Sequence, residues 1–112
     1  MINHENKNYY SSTEIARAFN DDVVEFKNLK KKWCEVYNKA NDYFFVDQSI
    51  QTKLYKAIHN NMVRGLTYQK TDGGRTYFVF NIEDLIKFLE NPASRRIESK
   101  QAINIKVIGA EE

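Results

Sequence analysis

The hydrophobic period of this chain changes at Gly65. Before it, apolar residues recur every three to four positions. After it come two β-prone runs, Leu66-Thr67-Tyr68-Gln69-Lys70 and Arg75-Thr76-Tyr77-Phe78-Val79-Phe80, joined by Thr71-Asp72-Gly73-Gly74. Three-and-four spacing marks the buried face of a helix, whereas short runs of β-branched and aromatic residues bounded by turn residues mark strands. Asp-Gly-Gly between two such runs is a hairpin signal, because a tight hairpin turn needs residues that accept positive φ. The chain must therefore carry helices first and a hairpin after them.

The helices announce their own ends. Ser11-Ser12-Thr13-Glu14 has the form of a capping box, with Ser11 as N-cap, Glu14 three positions on, and Tyr10 and Ile15 placed for a hydrophobic staple. It predicts a short helix over 12–19, broken by Asn20-Asp21-Asp22. Asp22 and Glu25 then predict the start of a longer helix. Its apolar stripe, Val23, Phe26, Leu29, Trp33, Val36, Tyr37 and Ala40, spans about five turns. Tyr43 to Val46 reads as a short strand or a packed loop. Asp47-Gln48-Ser49 offers N-caps to a third helix, 50–64, that buries Ile50, Leu54, Ala57, Ile58 and Met62 and stops at Gly65 as C′ residue. Asn81 caps a closing helix over 82–90, which Asn91-Pro92 ends. The expected organisation is a flexible N-terminus (1–10), one folded domain (11–92) and a tail (93–112) with an extended apolar segment from Ile103 to Ile108.

A chain of 112 residues suits one domain with a core of its own. The single cysteine, Cys34, excludes an internal disulfide and any multi-cysteine zinc site. The opening MINHENKNYY is polar and shows no signal-peptide core, and runs such as Tyr77 to Phe80 are far too short to span a membrane. The expectation is a cytoplasmic protein with no membrane contact. Net charge is only +2, but the stretch from Lys27 to Lys56 holds seven lysines against three acids, so positive charge is concentrated rather than abundant. Heavy use of Asn, Lys, Ile, Tyr and Phe points to an AT-rich genome of bacterial, plasmid or phage type, which is a genetic and not a physical inference.

Helix, helix, helix, hairpin, helix is the order of a winged helix-turn-helix, an α+β fold, mainly helical, with a two-stranded hairpin wing and a short closing helix. In such folds a recognition helix enters the major groove and the wing touches flanking backbone. The outer face of helix 50–64 presents Gln51, Thr52, Lys53, Tyr55, Lys56, His59 and Asn60. Carboxamides pair with adenine, lysine with guanine, and the threonine methyl with that of thymine. Residues 10–19 (YSSTEIARAF) resemble the opening helix of excisionase and MerR-type DNA-binding domains. Leu54-Tyr55-Lys56-Ala57-Ile58 through Gly65-Leu66 is similar to their second helix and exit turn. Gly73 to Phe80 with Ile82 to Leu89 is similar to their wing and closing helix. Those domains join the first two pieces by a few residues, whereas here Asn20 to Gln48, with a helix inside it, intervenes. The resemblance implies a small regulator or architectural factor of a mobile element, with no catalysis and no cofactor.

The candidate DNA-binding set is therefore Gln51, Thr52, Lys53, Tyr55, Lys56 and Asn60 on the third helix, Lys70 and Arg75 on the wing, and Arg64, Lys27 and Lys31 as further cations. Double-stranded DNA is the expected partner, with a homodimer formed through the second helix or the tail. Ordinary readings stand beside these. Lys30-Lys31-Lys32 is the solvated face of a helix or a phosphate patch, Trp33 and Tyr37 are core, Cys34 is a structural thiol, and His59 is a surface histidine or a phosphate contact. Two distant histidines and scattered carboxylates give neither a nucleophile–base pair nor a metal spacing. Two other functions stay open: a single-strand accessory protein that stacks bases on Tyr68, Tyr77, Phe78 and Phe80, and an adaptor that uses the same fold to hold a protein partner.

Overall fold

A computed structural model describes residues 1–60, 62, 63, 65–69, 75–90 and, as backbone, 106–108. In chain order the elements are β1 (Ile2–His4), β2 (Lys7–Tyr9), α1 (Ser12–Asn20), a 3-10 turn (Val24–Phe26), α2 (Lys27–Tyr37), α3 (Asp47–His59), β3 (Leu66–Gln69), β4 (Thr76–Val79), α4 (Ile82–Glu90) and β5 (Lys106–Ile108). The class is α+β. None of the described helices is long and apolar enough to cross a membrane.

Residues 1–10, expected to be flexible, instead form a β-hairpin. Ile2 pairs with Tyr9 and His4 with Lys7, and Glu5 and Asn6 both take positive φ (51° and 63°), as the two-residue turn of a twisted hairpin requires. Ile2 and Tyr9 share one face of the pair and bury it against Leu66, Tyr68 and Val79. The strand line continues to Tyr10, whose backbone exchanges two hydrogen bonds with Phe80 (2.7 and 2.8 Å). Polar residues at alternate positions concealed this pairing from a reading based on apolar runs.

α1 starts as its capping box dictates. The Ser11 hydroxyl accepts from the Glu14 amide (3.3 Å), and the Glu14 carboxylate accepts from the Ser11 amide (3.1 Å). Tyr10, the proposed staple residue, rests edge-on against Phe26 at 4.8 Å between centroids. The second helix is shorter than its stripe. Asp22 does not cap it but turns through positive φ (52°) and pairs with Lys30 at 2.6 Å. At the other end Asn38 adopts the left-handed conformation and donates its amide to the Cys34 carbonyl, closing α2 before Ala40, a position where asparagine is tolerated. Phe26, Leu29 and Trp33 are buried, whereas Val23, Val36 and Ala40 lie outside the core.

The third helix is displaced toward the N-terminus. Asp47-Gln48-Ser49 forms its first turn instead of preceding it, and it exits at Asn60. Gly65 is not its C′ residue. A Cβ there would lie 2.8 Å from Ile58 Cδ1, 3.1 Å from Phe80 Cε1 and 3.3 Å from the Val79 carbonyl, so glycine is required by close approach of the strand to the helix. β3 pairs antiparallel with β4 from Leu66↔Val79 to Gln69↔Thr76, and on its other side it pairs in parallel with β5. The hairpin turn 71–74 lies outside the described residues, while part of the tail segment expected to be extended is β5.

α1 packs directly on α3, and α2 packs on α4. Residues 21–46 thus leave the α1–α3 pair, cover α4 and return. The return is fastened by Asn20, whose carboxamide donates to the Phe45 carbonyl (2.8 Å) and accepts from the Phe45 amide (2.7 Å). Phe19, fully buried, meets Phe26, Trp33 and Phe45 edge-on with centroids 5.0–6.4 Å away. Such geometry adds about 0.5–1.5 kcal/mol per aromatic pair beyond area burial. Asn81 caps α4 as expected: its Oδ1 accepts from the amides of Glu83 (3.0 Å) and Asp84 (3.3 Å).

Candidate nucleic-acid interface

α3 divides cleanly. Ile50, Leu54, Ala57 and Ile58 are buried against α1 and the sheet-side core. Gln48, Thr52, Lys56 and Asn60, four residues apart, form an exposed line on the opposite face. Together with Gln51, Tyr55 and His59 they line an open groove of about 580 Å³. Gln51 and Tyr55 also border a second cleft, about 610 Å³, completed by Ser11 to Glu14 and Arg17 of α1, by Asp47, and by Arg75, Thr76 and Tyr77 at the start of β4. Groove and cleft share those two residues as neighbouring features.

Local chemistry fixes several of its side chains. The Thr52 hydroxyl donates back to the Gln48 carbonyl at 2.8 Å, so it is engaged within the helix. Tyr55 joins helix to hairpin. Its hydroxyl accepts from the Phe78 amide (3.3 Å), and its ring stands edge-on to Phe78 at 4.9 Å. It is a half-buried joint rather than a free reading residue. His59 approaches the other side of the same ring, at 6.5 Å.

The charges of the cleft are mixed. Asp47 accepts from the Thr13 hydroxyl (3.2 Å) and from the Gln48 amide (2.8 Å), and Glu14 is held by Ser11 and by the Met1 amino group. Both acids are thus engaged locally. Arg17 and Arg75 are exposed, and neither forms an ion pair with another described residue. Among the described residues the cations available along the surface are Arg17, Arg75 and Lys56.

The expected site residues are only partly brought together. Gln51, Thr52, Tyr55, Lys56, Asn60 and Arg75 line the combined surface. Lys53 does not. Its ammonium lies over the Tyr37 ring, 5.1 Å from the centroid, because its position on α3 faces the end of α2. Lys27 borders a separate hollow with Val23, Val24 and Lys30, and Lys31 is exposed on α2. Arg64 and Lys70 lie outside the described residues. Arg17 and Gln48 belong to the surface but escaped sequence reading. Gln48 was hidden by its place in a run of N-cap residue types, while Arg17, on the exposed side of α1, carries no signal until α1 and β4 are placed together.

Of the hairpin aromatics, Tyr68 and Phe80 are buried and Tyr77 and Phe78 half-buried, so they present no open stacking platform. Among the described residues no group of three or more His, Cys, Asp or Glu side chains is placed to hold a metal ion. Cys34 is buried, and burial pushes its thiol pKa up while Lys30 opposes the shift, which is the opposite of nucleophile activation. No family model, curated relative or solved structure matches the chain.

Proposed function

We propose that this protein binds duplex DNA in a non-catalytic role, with the outer face of α3 in the major groove and the arginines beside it on the backbone. One observation carries this reading. A single helix presents a line of polar side chains on its solvent face, and the adjoining cleft is bordered by Arg17 and Arg75, exposed and without an ion pair among the described residues. Carboxamides, a threonine and a lysine are groups that address base edges, and arginine is suited to phosphate. In this reading the chain acts as a winged-helix regulator or architectural factor of a mobile element, in the cytoplasm and as a homodimer.

Fluorescence anisotropy with duplex and single-stranded oligonucleotides of equal length, at two salt concentrations, tests it. Duplex binding should weaken as salt rises, with a slope near 0.9 per neutralised phosphate. Arg17→Ala combined with Arg75→Ala should lower that slope by about two. Absence of duplex binding at low salt would remove DNA from consideration. A protein-binding adaptor would then be the reading to test, with the exposed apolar side chains of Val24 (83 % exposed) and Phe44 (71 %) as the first positions to mutate.

A further inference from the structure

The make-up of the α3 groove identifies which duplex it suits. Of its seven described lining residues, three are carboxamides (Gln48, Gln51 and Asn60), one is a threonine, and Lys56 is the one formally charged cation among them. A carboxamide offers a donor and an acceptor side by side, which matches the adjacent N7 acceptor and N6 donor of adenine in the major groove. Guanine presents two acceptors there and is met by arginine or lysine. Among the described residues the groove lining contains no arginine. Thr52 is exposed, its hydroxyl is held by the Gln48 carbonyl at 2.8 Å, and its methyl is the kind of group that meets the thymine methyl.

From this chemistry we infer that the protein selects A·T-rich duplex through the major groove. Gln48 and Gln51 read adenine edges, Thr52 a thymine methyl, and Lys56 is the described groove residue suited to guanine. The inference rests on the duplex reading above and specifies its ligand.

Repeated rounds of selection by the full chain from a randomised duplex pool test it. The enriched core should be dominated by A·T pairs. Replacing adenines of the selected duplex by 7-deazaadenine, which deletes the major-groove acceptor and keeps pairing and the minor groove, should weaken binding about tenfold or more. Gln48→Ala, at an exposed position, should erase preference at one base pair of the core. A core rich in G·C, or an A·T preference untouched by 7-deazaadenine, would overturn this inference and leave duplex binding standing. A pool that shows neither enrichment nor duplex binding at low salt would overturn both.

Discussion

Lys53 and Lys56 are three residues apart and equally basic, yet their surroundings give them different roles. Lys53 is drawn over the Tyr37 ring, an arrangement worth about 0.5–1 kcal/mol at an exposed site, and it ties α3 to α2. Lys56 stands in the groove. Lys56→Ala should therefore weaken duplex binding and lower the salt slope by about one, whereas Lys53→Ala should leave the slope unchanged and reduce stability slightly. A titration of each variant over a range of salt separates the two. Gly65 makes a second residue-scale case. Ile58 can swing its terminal methyl away from an added Cβ, but the Phe80 ring and the Val79 carbonyl are held by the sheet. Gly65→Ala should cost about 1–3 kcal/mol as overpacking, read as a lowered urea midpoint with unchanged slope.

Among the elements, local signals proved legible and tertiary ones did not. The capping box of α1 and the Asn81 cap of α4 depend on residues within one turn, and both form as their sequences predict. The ends of α2 depend on where Asp22 and Asn38 take positive φ, which periodicity does not reveal. The N-terminal hairpin escaped notice because only Ile2 and Tyr9 contribute apolar surface and its covering partners lie some sixty residues away. The outer face of α3 was readable from its spacing, but the exclusion of Lys53 and the inclusion of Arg17 needed the packing of neighbouring elements. Asn81 works at two levels, capping α4 and donating to the Asn8 carbonyl at 3.0 Å. Asn81→Ala should cost about 1 kcal/mol for the cap and more for the lost link. Amide exchange should quicken in both α4 and the N-terminal hairpin, whereas a residue that only caps would affect α4 alone.

At the scale of the whole molecule, two tyrosines contribute to the loss of stability at alkaline pH. Burial raises the pKa of Tyr37, and burial followed by the charges of Glu25 and Glu14 raises that of Tyr10, both above the ordinary value of 10.0. A raised phenol pKa means that the folded state holds its proton more tightly than the unfolded chain does. The stability this provides is constant below pH 10 and is lost as pH rises from there through the folded values. Denaturant midpoints should therefore fall above pH 10, and Tyr37→Phe should reduce that fall. The detour of residues 21–46 also bears on the history of the molecule. It leaves and rejoins at one point, clasped by Asn20 on Phe45, the form of a segment that a shorter ancestor could have gained without disturbing the α1–α3 pair. Yet α2 now roofs α4 and supplies Trp33 to the common core. Removing residues 21–46 would therefore take Phe26, Leu29, Trp33 and Phe45 out of the shared core, so this connection cannot be cut back to a short loop without loss of packing on α4.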